Sequence, residues 1–327
     1  MKTKILGRTN LDFTRIGLGT WAMGGSDWQF GWGPQDDKAS IKTIYKALDN
    51  GINWIDTAAV YGLGHSETVI GKALKGMSHK PFIASKCSRV WNEKKELGSN
   101  LKRDNIRREC EQSLKRLQIE TIDLYQLHWP RPEEDIEEGW SAVAELIKEG
   151  RVRYGGVCNF NVQQLKRIQP IHPVASLQPP YSMIVRGIED AILPFCGENN
   201  IGVVAYSPMY KGLLTGKFTR ERAENLPETD HRTRDPHFKE PELTLNLDLV
   251  EGLKKIANAN GKTVLQLAIA WVLRRPEVTS AIVGARKPEQ LDDFFGAAGW
   301  TLSTDDINKV GMLLQERDEE LDKIKKE

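Results

Sequence analysis

The chain has 327 residues, and its 46 Lys plus Arg against 45 Asp plus Glu leave a formal net charge of +1. That balance argues against a nucleic-acid or membrane-surface protein, whose basic residues would be in excess. The apolar share is 39% before the 28 glycines are added, and with them it reaches the roughly 45–50% of a globular chain, which excludes disorder and collagen-like repeats.

Taken in order, residues 3–14 read as a hairpin, Lys4-Ile5-Leu6 turning through Arg8-Thr9-Asn10 into Leu11-Asp12-Phe13. The segment Met1 to Gly7 is charged without an apolar h-region, so no secretory signal is expected. Eight short apolar runs then recur: Ile16 to Leu18, Ile52 to Ile55, Phe82 to Ser85, Ile122 to Leu127, Val152 to Val157, Val174 to Leu177, Gly202 to Ala205 and Ala281 to Val283. Their lack of strict alternation fits strands buried on both faces. Helical spacing lies between them, as at Ile41, Ile44, Tyr45 and Leu48 before Gly51, at Ile106, Cys110, Leu114 and Leu117, and at Trp140, Val143, Ala144 and Ile147 before Gly150. The alternation predicts an α/β fold, a closed (β/α)8 TIM barrel with an N-terminal hairpin and a C-terminal helix, in one domain over 1–327. A doubly wound open sheet is the alternative.

Two further segments stand out. Residues 207–246 form a long connection after the seventh strand, on the face where such barrels carry active sites, so they are expected to be functional or disordered. Residues 304–327 read as a charged terminal helix with little apolar face. The apolar stretch Val264 to Leu273 is broken by Gln266 and stopped by Arg274-Arg275-Pro276. It falls short of the ~18–20 residues that span a bilayer and reads as a buried helix. Cys87, Cys110, Cys158 and Cys196 show no CxxC or framework spacing, so free thiols in a reducing cytoplasm are expected.

Chemistry is sought at the C-terminal ends of the strands. Strand two ends at Asp56, strand three at Lys86 and strand four at His128, and Tyr61 lies on the loop after Asp56. Each alone has a structural reading, as a turn residue, a solvent-reaching Lys, a packed Tyr or a core His. Together they make a coherent set for proton transfer to a carbonyl receiving hydride. Tyr61 donates the proton, the Lys86 ammonium lowers its pKa, Asp56 keeps Lys86 charged and aimed, and His128 orients the substrate oxygen. The six histidines have no metal-ligand spacing, and no metal is expected. Cys87 adjoins Lys86 but alternation turns it the other way, which favours an inert buried thiol. Trp21, Trp28, Trp91 and Trp129 lie near strand ends and are candidates for an apolar substrate pocket.

Asp56-Thr57-Ala58 with Tyr61-Gly62, then Lys86, then Leu127-His128-Trp129-Pro130, resemble in order and spacing the tetrad of the aldo-keto reductase family. So do Gly17-Leu18-Gly19-Thr20-Trp21, Glu149 to Arg153, Gly156 to Phe160, Tyr206-Ser207-Pro208 and Gly212 to Lys217. Gln178-Pro179-Pro180-Tyr181 and Gly284-Ala285-Arg286-Lys287-Pro288 bring the resemblance nearest to the family's bacterial general-stress branch. It implies a nicotinamide dinucleotide held without a Rossmann domain, and the GxGxxG fingerprint is indeed missing, with Ala22 at its third glycine. Carried over residue by residue, Asn159 and Gln178 would bind the carboxamide with Cys158 beside them, and Tyr206 would stack on the nicotinamide. Thr20, Trp21 and Asp56 would border the ring. Ser207, Pro208, Leu213 and Lys217 would follow the pyrophosphate, with Arg232 a clamp over it or a solvated loop residue. Gly284, Ala285, Arg286 and Gln290 would surround the adenosine phosphate, where backbone N–H groups before Pro288 can face an anion and Arg286 adds a charged fork.

These features imply NADP(H) rather than NAD. Three positions depart from the family pattern: Cys158 stands where many members have Ser, and Gln290 and Phe294 stand where many have Arg and Asn. The function expected is reduction of a small-molecule aldehyde or ketone, with no nucleic-acid, membrane or protein partner identifiable. The alternatives are a cofactor-bound interaction or sensor protein of the channel β-subunit type with little turnover, and a metal-free lyase or isomerase on the same barrel.

Overall fold

The computed structural model describes every residue except 229, 326 and 327. Among the described residues twelve strands run in the order β1 (Thr3–Ile5), β2 (Asp12–Thr14), β3 (Ile16–Gly19), β4 (Trp54–Asp56), β5 (Phe82–Cys87), β6 (Arg89–Trp91), β7 (Leu97–Ser99), β8 (Ile122–Leu127), β9 (Val152–Cys158), β10 (Ser176–Gln178), β11 (Gly202–Ala205) and β12 (Val278–Gly284). The eight expected runs are β3, β4, β5, β8, β9, β10, β11 and β12, and they close into a parallel barrel in the order β10-β11-β12-β3-β4-β5-β8-β9. The open sheet is thereby excluded. Closure joins the last strand to the first, Ala281 opposite Ile16 and Val283 opposite Leu18.

The α-helices among the described residues lie outside it: α1 (Asp37–Asp49), α2 (His65–Leu74), α3 (Arg103–Leu117), α4 (Ile136–Lys148), α5 (Val162–Ile168), α6 (Ile192–Glu198), α7 (Arg220–Glu224), α8 (Glu242–Ala259), α9 (Val264–Leu273), α10 (Asp292–Phe295) and α11 (Thr304–Ile324). The starts of α5 and α9 are set by capping boxes, Asn161 with Gln164 and Thr263 with Gln266. The stretch Val264 to Leu273 is the buried helix expected. No helix among the described residues is long and apolar enough to cross a membrane. The terminal helix departs from expectation, because α11 buries Val310, Leu314 and Leu321 and lies along α8. Its apolar residues are few but fall on one face, which the density of charge around them conceals.

The barrel interior is layered by strand alternation. Trp54, Ala84, Leu124, Val204 and Ile282 face inward and are covered by Leu6, Leu11 and Phe13 of the β1–β2 hairpin. Phe13 stacks on Trp54 at 4.5 Å between ring centroids. Trp54 fills the space beside Gly17, where any Cβ would lie 2.0 Å from its ring. The hairpin therefore plugs the bottom of the barrel. Two positions further along the same strands stand Asp56, Lys86, Gln126, Tyr206 and Gly284, so the same alternation that builds the plug raises polar groups above it.

Several buried acids lie outside this layer, and Glu109 of α3 has a carboxylate oxygen, Oε2, without a partner among the described residues. Its Oε1 accepts from the Ser88 N–H at 3.1 Å. Burial pushes its pKa up to about 8 against the pull of that N–H. The folded chain thus holds a proton that the unfolded chain releases near the ordinary value of 4.5. The Glu109 part of the slope of stability against pH is expected to run downward from about 4.5 to about 8 and to be level beyond. Glu109→Gln should flatten that slope in urea unfolding at pH 5 and pH 8. An equally steep slope in the variant would show that Glu109 is not its source.

Candidate active site

Asp56 ends β4 and Lys86 is the penultimate residue of β5, and both side chains are buried. Lys86 Nζ donates to Asp56 Oδ2 at 2.7 Å, to the Thr57 carbonyl at 2.8 Å and to the Tyr61 hydroxyl at 3.2 Å. Asp56 Oδ1 accepts from Gln178 Nε2 at 2.8 Å. Burial works against charging Lys86, but the Asp56 carboxylate with the Tyr61 oxygen beyond it more than offsets that, so its pKa stands above the usual lysine value.

Tyr61 reaches the centre because its loop is pressed onto the turn Trp21–Gly24. Gly62 has φ +62°, and a Cβ there would lie 2.2 Å from the Gly24 carbonyl oxygen. Here the sequence expectation is corrected in sign. The Tyr61 pKa is not lowered but pushed up to about 12, because burial outweighs the pull of Lys86. His128 follows β8, with its ring centroid 5.9 Å from that of Tyr61. Burial first, then Lys86 and Arg89, hold its pKa well below the ordinary histidine value, so the ring is neutral. Its Nδ1 is buried without a partner among the described residues.

These groups open into a cavity of about 1150 Å³ lined by Asp56, Tyr61 and His128. That exceeds the ~300–1,000 Å³ of an ordinary small-molecule pocket and leaves room for a dinucleotide beside a small substrate. Trp21, Asn159, Gln178, Tyr206, Ser207 and Pro208 form one wall. Asn159 takes the left-handed conformation, φ 63°, which Asn tolerates better than most residues and which turns it off the end of β9. Its Oδ1 accepts from the Tyr206 hydroxyl at 3.0 Å and its Nδ2 donates to the His128 carbonyl at 3.1 Å. Further out, Lys217, Arg232, Gly284, Arg286 and Gln290 line the same cavity. Trp28 and Trp129 line its other side.

Several expected residues are not on the wall. Thr20, Cys158, Leu213 and Ala285 are buried behind it. Thr20 Oγ1 is used up within the fold, donating to the Asp56 carbonyl at 2.9 Å. Lys86 also sits behind the wall, touching it through Tyr61. Trp91 lies on β6 and packs with Trp28 and Tyr61 without reaching the cavity. Cys87 faces outward into the core between sheet and helices, and burial pushes its thiol pKa well up.

Two readings of the outer region need correction. The N–H groups of Arg286 and Lys287 already donate to Gln290 Oε1, at 2.7 and 3.0 Å. The side chain caps its own turn, so an anion there would meet the Arg286 guanidinium rather than the backbone. Nor is Arg232 a solvated loop residue. It is buried, binds Asp230 through Nε at 3.0 Å and Nη2 at 2.7 Å, and stands 5.0 Å over the Trp32 ring. Beside it, His231 stacks on Trp21 at 5.3 Å and meets Trp32 edge-on at 4.6 Å. The long connection thus reaches over the mouth and packs on the loop after β3.

Sequence reasoning missed this contact and many of the lining residues, Trp32, Arg89, Arg131 and Arg222 among them. The signal available was modest: Arg89 and Arg131 closely follow the strand ends that supply Lys86 and His128.

A (β/α)8 barrel with a buried Asp–Lys pair joined to a partly buried Tyr beside a neutral His holds the groups for proton transfer at a carbonyl. The aldo/keto reductase family model matches residues 15–314, and the chain belongs to that family. It is 41% identical over 310 residues to the aldo-keto reductase YhdN of Bacillus subtilis (strain 168), covering 94% of this chain and 92% of that protein. It is 34% identical over 320 residues to the NADH-specific methylglyoxal reductase of Escherichia coli (strain K12), covering 94% and 96%. The structure of the glycerol dehydrogenase AKR11B4 from Gluconobacter oxydans superposes with a TM-score of 0.88 at 38% identity, over 97% of this chain and 96% of that one.

Proposed function

We propose that the protein reduces aldehydes or ketones to alcohols with NADP(H), and that Tyr61 is the proton donor. The observation that carries this reading is the hydrogen-bonded run Gln178–Asp56–Lys86–Tyr61 opening onto a cavity wide enough for dinucleotide and substrate. The cofactor, when bound, supplies the hydride to the carbonyl carbon. Tyr61 gives its hydroxyl proton to the carbonyl oxygen, and the Lys86 ammonium 3.2 Å away stabilises the phenolate left behind. His128, held neutral, offers a hydrogen bond to the same oxygen and no ionisable proton of its own.

The residues present suit a nicotinamide dinucleotide. Tyr206 offers a ring face, Asn159 and Gln178 carry amides at the wall, and Arg286 and Arg222 line the outer cavity with no acid within 4.0 Å among the described residues. Arg286 is held by Gln35 at 3.0 Å, which aims it without neutralising it. Its fixed charge supports NADPH over NADH, and the NADH-specific relative makes that preference the finer point to test. The four free cysteines, all buried, support a cytoplasmic setting.

NADPH oxidation should be followed with a panel of aldehydes, and NADH run alongside. Arg286→Ala is expected to lower the NADPH-to-NADH ratio of kcat/KM by about 10–100-fold, the share of one charge-assisted contact. An unchanged ratio would remove Arg286 from the phosphate site. NADPH binding with no turnover on any aldehyde would turn the reading to a cofactor-bound sensor protein.

A further inference from the structure

We infer that the carbonyl substrate carries an anionic group, a carboxylate or a phosphate, received by Arg89 and Arg131 across the barrel mouth from the cofactor's phosphates. The inference rests on the reductase reading and names the substrate class of that site.

The placement follows from topology. Arg89 begins the β6–β7 hairpin that springs from β5, and Arg131 lies in the turn after β8, the neighbour of β5. Lys217 and Arg286 follow β11 and β12. In the closed ring β5 stands three strands from β12, and β8 stands three from β11. The two basic groups therefore sit on opposite sides of the mouth, and His128 lies on the side of Arg131. One dinucleotide accounts for the first group and leaves the second without a task.

Both guanidiniums line the cavity, and neither has a carboxylate within 4.0 Å among the described residues. Arg89 donates to Ser99 Oγ at 2.7 Å, and Arg131 lies over the Trp129 ring at 5.6 Å. Arg89 is half-buried, and its own burial with the charge of Arg131 holds its pKa below the ordinary arginine value; no acid offsets them. By contrast, Arg232 and Lys217 in the same cavity are paired with Asp230 and Asp293. Two guanidinium residues lining the same side of a catalytic cavity with no acid partner are suited to receive an anion. Leu97, Trp28 and Trp129 give the space beside them apolar walls. A carbonyl compound reaching from Tyr61 to this pair would bury its middle against those walls and place its charge between two planar forks.

The test uses substrate pairs matched in shape. The first is 4-carboxybenzaldehyde against methyl 4-formylbenzoate, and the second is glyceraldehyde 3-phosphate against glyceraldehyde. We expect kcat/KM to favour the anionic member of at least one pair by about 10–100-fold at low ionic strength, the share of charge-assisted hydrogen bonds. The pair that shows the preference tells carboxylate from phosphate. In Arg131→Gln and Arg89→Gln the ratio should drop toward unity, chiefly through KM, and Arg131→Lys should keep part of it. A wild-type ratio near one for both pairs, or a ratio untouched in both variants, overturns the inference while leaving the reductase intact. Should no aldehyde turn over, the reductase reading fails by itself, and binding of terephthalate followed by tryptophan fluorescence decides the anion site. Affinity about tenfold weaker in the exposed-site variant Arg131→Gln supports it, and equal affinity overturns it.

Discussion

Tyr61→Phe is expected to slow carbonyl turnover by about 10²–10⁴, the share of a positioned proton donor, with NADPH binding retained. The phenyl ring keeps the contacts that seat it, with Trp21, Trp28 and His128 at 6.3, 6.1 and 5.9 Å. Lys86 keeps Asp56 and the Thr57 carbonyl. Only the acid is removed. Tyr61 and His128 each have a hydrogen to give at the catalytic end of the cavity, and electrostatics separates them. The Tyr61 hydroxyl, with a pKa pushed up to about 12 by burial, stays protonated at neutral pH and sits beside the ammonium that stabilises its conjugate base. His128 stands neutral, so its loss removes a hydrogen bond but no titratable acid. His128→Gln should accordingly be milder than Tyr61→Phe. Steady-state rates for the two variants decide it, and wild-type turnover in Tyr61→Phe would place the acid elsewhere.

Asp56→Leu is expected to cost about 3–5 kcal/mol of folding stability, the penalty for stranding a buried charge. The Asp56–Lys86 pair is buried at both ends, with side chains 4% and 0% exposed. Without the carboxylate, Lys86 keeps only the Thr57 carbonyl and the Tyr61 hydroxyl, and Gln178 Nε2 loses its acceptor. The double variant Asp56→Leu with Lys86→Met should regain much of the loss, because an apolar pair of similar volume avoids the desolvation of two ions. Urea unfolding of the two single variants and the double variant gives the coupling directly. If Asp56→Leu lost under about 1 kcal/mol, the range of an exposed ion pair, the pair would not be dry.

The parts of this molecule that were legible in its residues obey a short-range rule. Apolar runs of strand length alternating with helical spacing specify the barrel, and the strand-end positions of Asp56, Lys86 and His128 follow from the same periodicity. The parity that sends Trp54 inward also sends Asp56 inward. What escaped depends on segments meeting across the mouth. Nothing near His231 announces that it will lie against Trp21 and Trp32, and nothing near Arg89 announces Arg131. The sign of the Tyr61 shift escaped for a related reason: proximity to Lys86 is readable in a motif, whereas the depth of burial is a property of the assembled walls. Gln290 is instructive in the other direction. Its local sequence suggested free N–H groups before Pro288, but its own side chain satisfies them.

The pairing of β12 with β3 has a consequence for biosynthesis. A ribosome delivers this chain from its N-terminus, so β3 at Ile16–Gly19 emerges early, while its partner at Val278–Gly284 comes last among the barrel strands. For most of translation one edge of β3 has no neighbour and offers bare N–H and C=O groups to any other extended chain. The ring cannot shut until residues near 284 have left the exit tunnel. A nascent chain truncated before β12 therefore carries an open sheet, and such fragments would be clients of chaperones rather than stable sub-barrels.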